Sequence, residues 1–293
     1  MSWLKVQIEV DETMAEALEL ALTKFGAASI ELADAADEPI LEPAPGATPL
    51  WQRIRLTALF DREVDETTVR LAVASAMEPG ALPDLTFDIV ENEDWIARLR
   101  DELTPLQFGQ HLWVCPPGKT CPDPDAIVIT MEPGLAFGTG THPTTSLCLK
   151  WLADNPPRER TVLDFGCGSG ILAIASLALG ASSVIGVDID RQALTATCEN
   201  ARRNIGSERL DVMAPDELDD AKTYDYLVAN ILSGTVIELA PTLRKLCHSG
   251  TNIALSGILT EQAETVAAVY RAWCDINAPV IDDGWVLLTG TVL

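Results

Sequence analysis

From residue 3 to residue 10 the chain alternates: Leu4, Val6, Ile8 and Val10 face one way, Lys5, Gln7 and Glu9 the other. A period of two with one apolar face predicts a half-buried strand. The period then lengthens. Met14, Leu18, Leu22 and Phe25 form one helical stripe, Thr13-Met14-Ala15-Glu16 fits a capping box, and Gly26 ends the element. A second strand is expected over residues 28–34, and the Pro, Ala, Gly and acid-rich stretch 35–50 reads as a surface loop. The pattern repeats: a strand over 51–60 with Ile54, Leu56, Ala58 and Phe60 on one face, a helix over 65–77 burying Val69, Val73 and Met77, a stop at Pro79-Gly80, and a strand over 85–90. The order β-α-β-β-α-β predicts a ferredoxin-like α+β domain spanning residues 1–92.

Residues 93–104 read as a short charged helix with Trp95, Ile96 and Leu99 as its apolar contacts; the linker is taken to run over 93–108. Strands at 111–115 and 125–131 open a second domain, residues 109–293. Thereafter apolar strands alternate with helices: strands at 161–166, 184–188, 208–213, 224–230 and 252–257, helices at 170–180, 190–203, 234–246 and 259–272, and a closing pair of strands at 275–281 and 285–292. Continuous apolar strands mean that both faces of the sheet are covered. This part is expected to be a doubly wound α/β domain.

Composition narrows the class. A hydrophobic fraction of 47% supports a substantial core. There is no run of 18 apolar residues and no basic, apolar leader, so a soluble, cytoplasmic protein without a membrane association is expected. The seven cysteines include no CxxC pair, which speaks for reduced structural thiols rather than a disulfide framework or a zinc site; no metal is expected. The net charge of −24 repels nucleic acid. Residues 1–100 alone hold 20 acids against 8 bases, which favours a basic macromolecular partner docking on the N-terminal part over a merely solubilising surface.

The chemistry concentrates at Leu163-Asp164-Phe165-Gly166-Cys167-Gly168-Ser169-Gly170, at the carboxyl end of a strand and the start of a helix. Open α/β sheets bind ligands there. The dinucleotide fingerprint places its third glycine five residues after the first; here that position is Ile171, so the pattern is GxGxG. A carboxylate at Asp164 would oppose a pyrophosphate but suits a cationic ligand. Asp188 ends the next strand, where a carboxylate accepts hydrogen bonds from both ribose hydroxyls. A glycine and threonine-rich loop, Pro133 to Thr145, lacks the lysine of a phosphate-binding loop, and the N–H groups of the helix beginning at Thr144-Thr145 can meet a carboxylate.

The glycine turn and Asp188 resemble the class I S-adenosylmethionine-dependent methyltransferases, whose seven-stranded Rossmann-like sheet ends in an antiparallel strand, as the closing pair here would. In members acting on planar nitrogens the fourth strand ends Asn-Pro-Pro-Tyr; here Asn230 is kept, but Ile231-Leu232-Ser233 replaces the aromatic platform. The segments AFGTGTHPTT, DFGCGSGILAIA, VDID, VANIL and LSGIL, with the ferredoxin-like first domain, resemble the bacterial ribosomal protein L11 methyltransferases over essentially the whole chain. The resemblance implies methylation of lysine side chains and the N-terminal amine of that large-subunit protein, with the first domain recognising it and with S-adenosylmethionine as donor. It places cofactor contacts on Thr145, Gly166, Asp188 and Asn230; Gly168, in the same turn, is added to them, and the catalytic role is expected to fall on Asn230. The enzyme is expected to act as a monomer.

Methyl transfer from a sulfonium needs no metal or strong acid, so positioning can supply much of the rate. The amine is the harder problem. A free lysine has a pKa of about 10.4, so neutralising it at pH 7 costs roughly 4–5 kcal/mol. Nearby carboxylates worsen this, so an apolar pocket beside the sulfonium is expected, with Asn230 orienting the nitrogen. His142 could accept a proton or contact the loop, but its pKa near 6.5 matches an ammonium badly; the favoured role is packing against or capping the helix after Pro143. Other readings are transfer to another protein or small-molecule amine, a nicotinamide oxidoreductase, a nucleic-acid methyltransferase and a non-catalytic cofactor-binding module.

Overall fold

Leu4, Val6 and Ile8 are buried on one face of the first strand while Glu9 stays exposed, as an amphipathic strand requires. The computed structural model describes residues 2–36, 50–77, 83–91, 104–131, 140–204, 209–219 and 221–293. Two compact units divide the chain, residues 1–95 and 96–293. In the first, β1 (Ser2–Asp11), α1 (Glu12–Lys24), β2 (Ser29–Asp34), β3 (Arg53–Asp61), α2 (Glu66–Ser75) and β4 (Leu85–Glu91) build a sheet of order β2-β3-β1-β4. All its pairings are antiparallel. Leu18 and Leu22 of α1 and Val69 and Val73 of α2 pack on its apolar face.

Helix α2 ends at Ser75, so Met77 lies past it and is only half-buried. Two further details, both in α1, differ from the sequence pattern. Helix α1 begins one residue before Thr13, with Asp11 at its N-cap and no side-chain cap bond, so Thr13 to Glu16 is not a capping box. Glu12 instead brings a negative charge to the positive helix end. Phe25 is the C-cap residue and lies 40% exposed, off the buried stripe. The chain has already left the helix there, so the 3.6-residue period no longer governs which way its side chain points.

The second unit opens with a three-stranded sheet, β5 (Leu106–Phe108), β6 (Leu112–Cys115) and β7 (Ile127–Thr130). Strand β5 lies where the linker was expected to end; three residues are too few to show a period. The expected linker helix falls, up to residue 103, outside the described residues. Next come α3 (Pro143–Asp154), β8 (Thr161–Phe165), α4 (Ile171–Ala178), β9 (Ser183–Val187), α5 (Arg191–Asn204), β10 (Leu210–Met213), β11 (Tyr224–Asn230), α6 (Ser233–Lys245), β12 (Cys247–Leu259), α7 (Ala263–Tyr270), β13 (Cys274–Ile276), β14 (Val280–Asp282) and β15 (Trp285–Val292).

The main sheet runs β10-β9-β8-β11-β12-β15-β13. Its pairs are parallel from β10 to β12, and β15 is antiparallel to β12. Both faces are covered: Val162, Val228 and Ala254 belong to one apolar cluster, while Leu163, Leu227 and Leu255 belong to the other. Among the described residues the sheet has eight strands rather than seven, because the stretch expected as one strand over 275–281 is broken. Strands β13 and β14 both pair with β15, at opposite ends of it. Strand order reverses at β8, whose neighbours are β9 and β11, and a crevice opens beyond the carboxyl ends at such a switch.

Candidate functional site

Strand β8 delivers the chain to the glycine turn at that crevice. Gly166 and Cys167 donate their N–H groups to Val187 O at 2.7 and 3.0 Å, which locks the turn to the end of β9. One residue later Asp188 faces the same turn. Its Oδ2 accepts from the Gly168 N–H at 2.9 Å and its Oδ1 from the Asp190 N–H at 2.9 Å. An ionised carboxylate has about four acceptor positions, so both oxygens keep capacity for ligand hydroxyls.

Asp164 does a different job from the one expected of it. It is buried and turned under the turn, where Oδ2 accepts from the Ala173 N–H at 3.0 Å. The N-cap residue of α4 is Gly170, which has no side chain to offer. The Asp164 carboxylate supplies the missing acceptor at the third position of the helix, the place an N-cap oxygen normally serves. Its other oxygen has no hydrogen-bond partner. Burial pushes its carboxyl up to about 7, and the nearby Asp188 charge adds to this.

Helix α5 holds the turn from behind. Thr197 Oγ1 donates to Gly168 O at 3.0 Å and Asn200 Nδ2 to Ser169 O at 2.9 Å. One turn on, Asn204 pairs with strand β7: its Oδ1 accepts from Thr130 N at 2.6 Å and its Nδ2 donates to Thr130 O at 2.9 Å. Sequence reasoning missed these three residues. Their signal was available as a stripe of small polar side chains at positions i, i+3 and i+7 on the helix following Asp188.

Asn230 ends β11 on the other side of the crevice. Its side-chain amide donates to Thr145 Oγ1 at 3.2 Å, which leaves the amide oxygen as a free acceptor position. Thr145 is buried in the first turn of α3. The next residue, Ile231, is wedged between two glycines. A Cβ on Gly166 would stand 2.2 Å from Ile231 Cγ2, and one on Gly257 would stand 2.3 Å from Ile231 O and 2.7 Å from its carbonyl carbon. The second clash is with backbone, which cannot rotate away, so Gly257 lets β12 pass close beneath the Asn230 end of β11.

Thr145, Gly166, Gly168, Asp188 and Asn230 all line one cavity of about 340 Å³. Phe165, Ile171, Leu172, Ile231 and Leu239 give it apolar walls, and its lining contains no Lys or Arg among the described residues. Ile189, 87% exposed, and Leu232 put further apolar surface at its margin. A phosphate-bearing dinucleotide would find no cation here. A cationic nucleoside with ribose hydroxyls and no phosphate fits the donor set. Among the described residues no group of His, Cys, Asp and Glu could hold a metal ion.

Of the glycine-threonine loop, residues 133–139 lie outside the described residues. His142 is the N-cap of α3: its Nδ1 faces Thr144 N at 3.3 Å and Thr144 Oγ1 at 2.8 Å, with Pro143 at the first helical position. Burial holds its pKa below the usual histidine value, against a smaller opposing pull from Asp283. A neutral imidazole with an acceptor Nδ1 is what the cap needs.

A family model described as ribosomal protein L11 methyltransferase matches residues 2–292. A ribosomal protein L11 methyltransferase of Pseudomonas aeruginosa (strain LESB58) is 47% identical over 291 residues, covering 99% of this chain and 98% of that protein. One from Nitrosococcus oceani is 43% identical over 290 residues, covering 99% of each. Among solved structures, a ribosomal protein L11 methylase from Lactobacillus delbrueckii subsp. bulgaricus superposes with a TM-score of 0.60 at 30% identity, covering 65% of this chain and 99% of that one.

Proposed function

The chain belongs to the ribosomal protein L11 methyltransferase family, and from that premise we propose that it methylates the lysine side-chain and N-terminal amines of ribosomal protein L11. Its donor is S-adenosylmethionine. The observation that carries the reading is the cavity at the β8 switch point, where the Asp188 carboxylate, the glycine turn and the Asn230–Thr145 pair meet with no Lys or Arg among the described lining residues. Bound S-adenosylmethionine supplies a methyl group already activated by its sulfonium.

The chain's own residues bind, orient and desolvate. Asp188 holds the ribose hydroxyls with the acceptor capacity left by its two backbone bonds. Gly166 and Gly168 let the backbone close on the ligand, and in the first turn of α3, where Pro143 has no N–H and His142 holds that of Thr144, the Thr145 N–H is the one offered to its carboxylate. Asn230 accepts a hydrogen bond from the substrate nitrogen through its amide oxygen and aims the lone pair at the methyl carbon. Ile231 and Leu232 give that nitrogen apolar surroundings, which disfavour its ammonium form. Asn230 is an orienting group; as a neutral amide it does not serve as the base.

Substrate recognition falls to the domain of residues 1–92. Its excess of acids attracts a basic ribosomal protein and repels RNA, so direct nucleic-acid binding is not part of the reading. No helix among the described residues is long and apolar enough to cross a membrane. The protein works in the cytoplasm, as a monomer. Methylation of another protein or small-molecule amine is the nearest other activity. The test is transfer of labelled methyl from S-adenosylmethionine to ribosomes from an unmodified source. Label on one large-subunit protein supports the reading; label on RNA, or on no ribosomal protein, overturns it.

A further inference from the structure

The last two strands meet in a two-residue turn, Asp283-Gly284, with φ of 48° and 78°. Both values are positive, as a type I′ hairpin requires, so the flanking residues Asp282 and Trp285 stand opposite each other in fixed register. The turn is tied down at Gly284 O, which accepts from Thr260 N at 3.0 Å and Thr260 Oγ1 at 2.9 Å. From this rigid hairpin two side chains reach α3. Asp282 Oδ2 accepts from Lys150 Nζ at 3.2 Å, in the third turn of the helix. Trp285 meets the His142 ring edge-on at its N-cap, with centroids 5.1 Å apart and planes at 67°.

The contact continues inward. His142 orients Thr144 through Nδ1, Thr145 follows in the same turn, and Thr145 Oγ1 receives the Asn230 amide. We propose that Trp285 is a positioning residue for methyl transfer, bracing His142 so that the first turn of α3 holds Thr145 and, through it, Asn230 in register with the bound methionine end. The inference rests on the reading of Asn230 as the orienting residue. Neither Trp285 nor His142 lines the cavity, so a role for either must travel through the helix start.

The test uses the full chain and four variants: Trp285→Leu, Trp285→Phe, His142→Ala and the double Trp285→Leu/His142→Ala. Aromatic pairs contribute enough to predict about a fivefold loss of kcat in Trp285→Leu, with near-normal KM for the protein substrate. Trp285→Phe keeps an edge-to-face partner and recovers most of it. The double variant falls no further than the worse single one, since both changes cut one path. S-adenosylhomocysteine affinity, measured by calorimetry, falls about fivefold in Trp285→Leu and recovers in Trp285→Phe, because Thr145 lines the cofactor cavity. Wild-type kcat and S-adenosylhomocysteine affinity in folded Trp285→Leu overturn the proposal, as do losses that multiply in the double variant. If Trp285→Leu does not fold, His142→Asn, which keeps a helix-capping side chain and removes the ring, cuts the same contact from the other side and is read in the same way. Wild-type protein that transfers nothing to ribosomal protein L11 counts against the proposed substrate instead, and the binding measurement still decides the role of Trp285.

Discussion

Asn230, the last residue of β11, gives its side-chain amide to the Thr145 hydroxyl in the first turn of α3, at 3.2 Å across 85 residues of sequence. The bond fixes which end of the Asn230 amide faces the cavity. It also makes the helix start part of the transfer site, although that helix precedes the whole parallel sheet in the chain.

Replacing Asn230 with Ala is expected to lower kcat about a hundredfold in a folded protein, since the amine loses its orienting acceptor. Thr145→Val keeps shape but removes the oxygen that holds Asn230, and should lower kcat about tenfold. Steady-state kinetics checked against circular dichroism reads both. Near-normal turnover in Asn230→Ala would remove the catalytic role from that residue.

Asp188 has two tasks in one carboxylate, holding the Gly168 and Asp190 N–H groups and meeting the ribose. Hydrogen bonds to a charged acceptor are worth about 1.5–3 kcal/mol. Asp188→Ala should therefore raise the Kd for S-adenosylhomocysteine by roughly ten to a hundredfold in calorimetry. Asp188→Asn, which keeps an oxygen but can satisfy only one of the two N–H groups, should fall between.

The buried Asp164 sets a pH dependence of stability. Its folded-state pKa is raised from 3.8 to about 7 by burial. Between those values the folded chain holds a proton that the unfolded chain has released, so stability falls as pH rises through this window and levels off above it. From pH 5 to pH 8, wild type should lose roughly 3 kcal/mol relative to Asp164→Asn in urea unfolding. A constant difference between the two proteins would mean that burial does not raise this carboxyl.

Gly257→Ala would drive a methyl group into the Ile231 carbonyl, at 2.3 Å in the present backbone. The expected result is a destabilisation of about 1–3 kcal/mol and a loss of turnover larger than that of cofactor affinity, because the displaced segment carries Asn230. Thermal unfolding and a separation of kcat from Kd would show it.

If the acidic surface draws in a basic protein, salt should act on the substrate and not on the cofactor. Raising ionic strength from about 0.05 to 0.3 M is expected to increase KM for ribosomal protein L11 several-fold while leaving kcat and S-adenosylhomocysteine affinity nearly unchanged. A KM insensitive to salt would assign the charge to solubility alone.

The glycine turn and Asp188 could be placed from the sequence because each stands at the end of a strand that the apolar pattern locates; Asn230 and Thr145 were singled out by the resemblance to a family, and all of them line one cavity. What holds them was harder to read. Thr197, Asn200 and Asn204 look like any polar helix face until the sheet order shows which backbone they meet. Asp164 suggested a ligand contact by its sign of charge, yet its carboxylate caps a helix whose own N-cap is a glycine. Trp285 lies 143 positions from His142, and nothing local in either segment signals their contact. The capping box at Thr13 failed because Asp11 already ends the preceding strand, so the helix starts before it. Local chemistry is written in local sequence; side-chain contacts that depend on which strands become neighbours are not.

The most direct test of the account is the intact mass of unmodified ribosomal protein L11 after incubation with S-adenosylmethionine and either wild type or Asn230→Ala. Wild type is expected to add successive methyl groups to amines, and the variant nearly none. An unchanged mass with folded, cofactor-binding wild type, or equal methylation by both proteins, would contradict it.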